Sequence, residues 1–201
     1  MKRHILPLLV LLISCSENKS STTDKVVNTD TLPVHTKPVN DTLNVTSNPA
    51  TSIQTILKEK NMPDWHVISD ADAKWPKDKF DYFIAPKRKD NSEYPYITSG
   101  DFNADGKNDF AALITDSGNS KNQLLIILDR NGEKKLYFWL EDILEGAAIS
   151  TTPKGETEGM ESEKTKKVKL KGDAINVEYF ETASFLVYWN GNGFNRLQIG
   201  D

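Results

Sequence analysis

The central part of the chain is organised by short apolar runs that turn residues separate. Residues 110–115 and 123–128 are apolar at nearly every position, and residues 135–140 form a third run. The Asp-Arg-Asn-Gly sequence at 129–132 contains the Asn-Gly pair typical of a tight hairpin turn. A strand that is apolar on both faces has to be covered on both faces, so we expect these strands to lie at the centre of a sheet.

From residue 166 onward, apolar positions alternate with polar ones. The alternation recurs at residues 166–170, 175–179, 185–189 and 194–199, with turn residues between the runs. A period of two predicts a meander of strands with one buried face and one solvated face. Tyr188 is out of phase with the buried positions of its strand, so it is predicted to be exposed and is a candidate platform for a ligand.

One amphipathic helix precedes the strands. Thr51 and Gln54 have the spacing of a capping box at its start, and Asn61 and Pro63 are expected to end it. Its apolar residues share one helical face: Ile53, Ile56 and Leu57.

The remaining segments complete the predicted domain. Residues 65–68 and 80–85 are rich in aromatic and β-branched residues, which predicts two further strands. Residues 146–165 are rich in Thr, Gly, Glu and Lys, so we expect a long exposed loop without fixed structure. These elements predict a single mainly β domain of the α+β class at residues 51–201, an antiparallel sheet and meander with one short N-terminal helix.

The N-terminus has the features of a secretory leader. Residues 1–14 begin with a basic pair and continue with an apolar run that is too short to span a bilayer. The Leu-Ile-Ser-Cys sequence at 12–15 resembles the bacterial lipobox, which implies cleavage before Cys15 and lipidation of that cysteine. Ser16 rather than Asp follows it, which implies the outer membrane of a Gram-negative bacterium. The alternative is an ordinary secretory signal that is cleaved elsewhere.

Composition narrows the possible partners. Residues 15–50 are rich in Ser, Thr, Asn, Asp and Pro, so we expect a disordered tether between the lipid and the domain. The net charge is −4 and no basic stretch is evident, which argues against nucleic acid as a partner. Cys15 is the only cysteine, so disulfides and thiol catalysis are excluded. The expected partners are the membrane, through lipidated Cys15, and a protein or glycan of the envelope.

An acidic stretch at residues 101–109 is the main candidate for a functional site. Counted from its first residue, it has oxygen-bearing side chains at positions 1, 3, 5 and 9, and Gly106 at position 6. This is the spacing by which a short loop binds Ca²⁺, with the carbonyl of position 7 as a further ligand. The alternative is a metal-free turn rich in Asx residues. The predicted calcium ligands are Asp101, Asn103, Asp105, the Lys107 carbonyl and Asp109.

The segments on either side of this loop decide which class it belongs to. Residues 94–98 are poor in helix formers and residues 110–115 read as a strand, so an EF-hand is excluded. The D-x-N-x-D-G-x-x-D sequence before a strand resembles the FG-GAP or VCBS-type repeat, but only one copy is present and a β-propeller is not expected. With residues 181–191, which contain the E-T-A-S…Y-W-N-G sequence, the chain resembles a group of uncharacterised bacterial periplasmic proteins and lipoproteins. That group usually has Ser where Thr182 stands. The resemblance implies a fold rather than a function, because the group has no settled activity.

The sequence supplies no clear catalytic set, and we assign no catalytic residue. A Ser-His-Asp triad would need His66, and no Gly-x-Ser-x-Gly elbow supports one. His66 is instead expected to be a half-buried strand residue. Two acidic pairs leave a carboxylate hydrolase acting on envelope polysaccharide as the alternative function, although we expect all four to be solvated surface acids: Glu178 with Glu181, and Glu141 with Asp142.

Overall fold

Most of the predicted β segments form strands in the computed structural model, which describes residues 48–118, 121–130, 132–139, 143, 145–161 and 163–200. These residues fall within the second of the chain's two structural units, Val45–Asp201. The predicted leader, Cys15 and nearly all of the predicted tether lie outside the described residues. No helix among the described residues is long and apolar enough to cross a membrane.

The first sheet contains the apolar runs of the chain's centre. Its strand order is β1-β3-β4-β5, and β2 pairs with β3 on the same edge as β1. All of these pairings are antiparallel. The strands are β1 (Trp65–Val67), β2 (Ile97–Gly100), β3 (Asp109–Asp116), β4 (Asn122–Arg130) and β5 (Glu133–Phe138).

The second sheet contains the alternating runs of the C-terminal part. Its strand order is β6-β9-β10-β11-β7-β8, again with antiparallel neighbours. The strands are β6 (Ala147–Thr152), β7 (Gly155–Glu161), β8 (Lys164–Leu170), β9 (Ala174–Tyr179), β10 (Ala183–Trp189) and β11 (Phe194–Gly200).

One main hydrophobic core joins both sheets and the first helix, α1 (Pro49–Glu59). Leu113 and Ile126 of the first sheet belong to the same buried cluster as Val177 and Val187 of the second. The predicted mainly β class is confirmed, since the described residues form two antiparallel sheets with only a few short helices. The β4–β5 hairpin and the β9-β10-β11 meander are also confirmed.

The helix α1 starts earlier than predicted. Asn48 rather than Thr51 is its N-cap, and the Asn48 side chain accepts a hydrogen bond from the Ala50 N–H at 2.8 Å. Pro49 follows at the first helical position, where its missing N–H costs no hydrogen bond. The predicted apolar face is confirmed, because Ile53 and Leu57 are buried in the main core.

The predicted strand at residues 80–85 is wrong. This segment is helical, a π-helical turn (Phe80–Ile84) between the short helices α3 (Lys77–Lys79) and α4 (Ala85–Arg88), which follow α2 (Asp70–Ala73). Phe80, Phe83 and Ile84 have the i, i+3, i+4 spacing of one helical face, and they pack together with Tyr94 and Phe180. The helical spacing of these apolar residues therefore determined the structure of the segment, although the individual residues favour strands.

The predicted exposed loop at 146–165 is also wrong, because it forms β6, β7 and the start of β8. The β7 strand is rich in Glu and β8 is rich in Lys, and the two pair so that opposite charges face each other. Glu158 lies opposite Lys167 at 3.6 Å, and Glu161 contacts Lys166 at 2.5 Å. Cross-strand charge pairs of this kind stabilise exposed strands that have little apolar surface. Because β8 pairs with β7, the predicted continuation of the meander from β8 into β9 is wrong.

Candidate functional site

The acidic loop forms the tip of the β2–β3 hairpin. Gly100 and Asp109 are paired residues at the ends of the two strands, so residues 101–108 connect them. The prediction that this loop lies between two strands rather than two helices is confirmed. A hairpin tip has a fixed base, which holds the loop's side chains in one place.

Side-chain oxygens inside the loop are turned towards its own backbone. The Asp105 N–H donates to Asp101 Oδ1 at 2.9 Å and to Asn103 Oδ1 at 3.0 Å, and the Gly106 N–H donates to Asp101 Oδ2 at 3.0 Å. The Lys107 N–H donates to Asp105 Oδ1 at 3.0 Å. Gly106 has a φ of +82°, a left-handed conformation that glycine adopts at little cost. The loop is thus curled around its first carboxylate.

Asp109 is the carboxylate that attaches the loop to the first sheet. It is fully buried, and it accepts hydrogen bonds from the Phe102 N–H at 3.0 Å and from the Asp129 N–H on β4 at 2.9 Å. Burial raises the pKa of Asp109 above its usual value, and the nearby charge of Asp105 raises it further. The backbone N–H groups oppose that shift. A buried anion of this kind gains from a neighbouring positive charge.

Sequence reasoning missed the residue that attaches the loop to the second sheet. The Asp101 N–H donates to Asp173 Oδ2 at 3.0 Å, and the Asp173 N–H donates back to the Asp101 carbonyl at 2.8 Å. Asp173 Oδ1 also accepts from the Lys154 N–H at 3.1 Å. The turn just before β9 therefore fixes the start of the loop. Only the Gly172-Asp173 turn signal marked this position in the sequence.

The ligand atoms of the predicted site are of the chemical type that binds calcium. Carboxylate, amide and carbonyl oxygens are the hard ligands that Ca²⁺ prefers, and all five predicted ligands lie on this one loop. Asn103, however, turns its amide nitrogen to Asp105 Oδ2 at 3.0 Å, and a metal ligand would present its oxygen there. Within the described residues, no group of three or more His, Cys, Asp or Glu side chains is arranged to hold a metal ion.

Tyr188 is not the exposed platform that the alternation predicted. It is only 6% exposed, because β10 is covered on both faces. Its side chain belongs to a second, smaller core. The residues of that core are Leu170, Ala174, Leu186, Tyr188 and Leu197.

The next residue, Trp189, lies in a shallow groove beside the acidic loop. The groove has a volume of about 410 Å³. The Trp189 ring packs edge-to-face on Tyr137 and Phe194, with centroids 6.0 and 5.1 Å away. Lys135 Nζ lies 4.8 Å above the Tyr137 ring. The lining residues are Asn103, Asp105, Lys107, Arg130, Trp189 and Gly191.

Three of the five candidate catalytic residues lie within the described part of the chain. His66 lies in β1 with its side chain 34% exposed, so the prediction of a half-buried strand residue is confirmed. Glu178 pairs with Lys87 at 3.1 Å, and Glu181 pairs with Lys79. Each glutamate thus has its own lysine partner, which does not support a shared acid–base site. The other proposed pair, Glu141 and Asp142, lies outside the described residues.

These features define a class of protein: an antiparallel two-sheet β domain whose acidic hairpin loop is attached to both sheets. The comparisons with known proteins do not narrow that class further. No protein-family model, no curated protein and no solved structure matches this chain.

Proposed function

We propose that this protein is a lipid-anchored binding module of the bacterial cell envelope, in which Ca²⁺ held by the acidic loop stabilises a β domain. The anchoring part of the proposal depends on the leader and Cys15, and it agrees with the resemblance to envelope lipoproteins. The observation that supports the calcium part most strongly is the fully buried carboxylate of Asp109, at the base of a loop with two further carboxylates.

Electrostatics favours a cation at this position. Like charges repel most strongly where water is excluded, and burial and the charge of Asp105 both raise the pKa of Asp109. A divalent cation bound between these oxygens would offset both effects. Loops of this type in extracellular proteins bind Ca²⁺ at ~10⁻⁴–10⁻³ M, an affinity suited to a structural ion.

Calcium is expected to raise the melting temperature of the protein. At about 10 mM Ca²⁺, an affinity in that range adds roughly 1.4–2.7 kcal/mol and raises the Tm by roughly 3–10 °C relative to EDTA. Differential scanning calorimetry measures this shift, with Mg²⁺ at the same ionic strength as the control. The Asp101→Asn, Asp105→Asn double variant should lose the shift. Equal Tm values in Ca²⁺ and EDTA for the unaltered protein would rule out the calcium part.

The groove beside the loop supplies a ligand site with a defined chemistry. Trp189 provides an aromatic surface, and Lys107 and Arg130 provide positive charge. Ca²⁺ in the loop would balance the charge of Asp105 and leave the groove cationic. Aromatic rings that pack on sugars, together with basic side chains, suit an acidic oligosaccharide. We therefore propose an anionic envelope glycan as the ligand class.

Acidic oligosaccharide is expected to bind at Trp189. A galacturonic acid oligomer should bind in Ca²⁺ more tightly than its neutral galactose counterpart. Trp189→Ala should weaken that binding at least about tenfold, because it removes the central aromatic contact. Isothermal titration calorimetry gives both affinities. Tyr82→Ala is the matched control, since Tyr82 is an exposed aromatic residue that does not line the groove.

The two parts of the proposal fail separately. A calcium-dependent Tm without oligosaccharide binding, or with equal binding by the Trp189 and Tyr82 variants, would overturn the glycan part alone. Oligosaccharide binding that is lost in the Trp189 variant, together with equal Tm values in Ca²⁺ and EDTA, would overturn the calcium part alone.

A further inference from the structure

A second cavity, of about 330 Å³, lies away from the acidic loop and has the chemistry of a reaction site. It opens between β1, the short helix α2 and the segment before β6. Buried Ile68, Leu113 and Ala147 contribute apolar surface to its lining. His66, Asp72 and Ser117 also line it, so three groups able to act in acyl transfer share one concave site.

The imidazole of His66 lies between a carboxylate and a hydroxyl. Its Nε2 is 3.4 Å from Asp72 Oδ2, and its Nδ1 is 3.3 Å from Ser117 Oγ. Such distances in a protein without its substrate are compatible with a working nucleophile and base, because these hydrogen bonds shorten when substrate binds. The ring polarity is the reverse of that in the chymotrypsin-type proteases, where Nε2 faces the serine.

The carboxylate determines which nitrogen of His66 is basic. An ionised carboxylate only accepts hydrogen bonds, so Asp72 favours the tautomer with the proton on Nε2. That tautomer leaves the lone pair on Nδ1, which faces Ser117. Burial raises the pKa of Asp72, but the hydrogen bonds from Ser69 and His66 together lower it by more, so the carboxylate stays ionised.

Local structure holds both partners of His66. Asp72 lies in the first turn of α2, and its Oδ2 accepts from the Ser69 N–H at 2.8 Å and the Ser69 hydroxyl at 2.6 Å. Ser117 follows the end of β3, where its N–H donates to the Asp64 carbonyl at 3.2 Å. The Ser117 hydroxyl also lies 3.1 Å from that carbonyl, so it can turn its proton either to Asp64 or to His66.

We propose that Ser117, His66 and Asp72 form a hydrolytic site for small uncharged esters, a function separate from calcium and glycan binding. Ser117 Oγ attacks the ester carbonyl carbon while its proton passes to His66 Nδ1, and that proton then leaves with the alkoxide as an alcohol. Water attacks the acyl-serine, gives its proton to Nδ1 and releases a carboxylic acid, and the proton returns to Ser117. Ser117 is the nucleophile, His66 is the general base, and Asp72 is a positioning residue.

The lining of the cavity sets the substrate class. The apolar surface accepts a short acyl chain, and the volume limits its size. Asn122 lines the same cavity, and a side-chain amide is a suitable hydrogen-bond donor for the developing oxyanion. Three carboxylates against one cation, that of Lys74, disfavour an anionic acyl group at the site. The carboxylates belong to Asp72, Asp116 and Glu145.

A fluorophosphonate probe tests this site directly on the full-length protein. The Ser117 oxygen forms a bond to phosphorus, fluoride leaves, and the proton passes to His66. Peptide mass spectrometry should find the adduct on Ser117 and none on Ser99, an exposed serine on β2. His66→Gln should slow the labelling at least about a hundredfold, the usual share of a general base. The proposal is overturned if Ser117 stays unlabelled, or if the His66 variant labels at the unaltered rate.

The positioning role of Asp72 is tested by measurements that a change in folding alone would not alter. In Asp72→Asn the ¹⁵N NMR shifts of His66 should move towards the other tautomer, and labelling should slow about tenfold or more, while Asp72→Glu should restore part of the rate. Hydrolysis of p-nitrophenyl acetate should disappear in Ser117→Ala and persist in Ser99→Ala. Unchanged His66 shifts in a folded Asp72→Asn variant would contradict the positioning role. Equal hydrolysis by the two serine variants would contradict the nucleophile.

Discussion

Replacing Asp109 with alanine is expected to lower the free energy of unfolding by about 2–4 kcal/mol and the Tm by roughly 5–15 °C. The substitution leaves the N–H groups of Phe102 and Asp129 without their acceptor inside the protein. Each unsatisfied buried donor costs about 1–3 kcal/mol. Removing a buried anion whose pKa is raised recovers part of this, which is why the expected loss is smaller than the full sum. Denaturant unfolding in EDTA measures the effect without calcium.

The comparison with Asp105 separates the structural role of Asp109 from metal binding. Asp105 is exposed, so Asp105→Ala should cost less than about 1 kcal/mol in EDTA. Asp109→Asn, which keeps one acceptor oxygen, should fall between the two alanine variants. If the Asp105 and Asp109 alanine variants unfold alike in EDTA, the buried carboxylate does not join the loop to β4 as its hydrogen bonds indicate.

Replacing Gly172 with alanine is expected to displace the acidic loop from the second sheet. A Cβ at this position would lie 2.8 Å from the Ala104 nitrogen and closer still to the Asp101 carbonyl oxygen. Both are backbone atoms, so no side-chain rotation relieves the clash. Overpacking of this kind costs about 1–3 kcal/mol. The displacement also weakens the hydrogen bonds between Asp101 and Asp173. We expect a Tm lower by roughly 5–10 °C and loss of the calcium-dependent shift.

Gly193 provides the matched control for that variant. A Cβ at Gly193 would meet no atom within 4 Å. Gly193→Ala should therefore leave both the Tm and the calcium shift close to those of the unaltered protein. Calorimetry of both variants in Ca²⁺ and in EDTA gives the four values needed. A Gly172→Ala protein with the unaltered Tm would mean that the loop is not held against this turn.

The local pattern of apolar and polar residues predicted the parts of the fold in which strands that are consecutive in the sequence also pair with each other. The Asn-Gly signal predicted the β4–β5 hairpin, and the alternation from residue 175 predicted β9, β10 and β11. Pattern failed where two periods competed, as at Phe80, Phe83 and Ile84, whose helical spacing is hidden among residues that favour strands. It also failed at β7, which was expected to be a loop, and at the pairing partner of β8, because these two strands gain from cross-strand charge pairs rather than from apolar surface.

The sequence by itself determined the mainly β class, the hairpin position of the acidic loop and the set of oxygen donors within it, because all of these depend on residues a few positions apart. Only the tertiary structure decided that Asp173 joins the loop to the second sheet, that Tyr188 is buried, and that Trp189 lines the groove. It alone brought Ser117 and Asp72 to either side of His66. Apart from the contact between His66 and Asp72, which are close in the sequence, these outcomes depend on contacts between segments 50 or more residues apart or on the covering of a second sheet face, which no local period encodes.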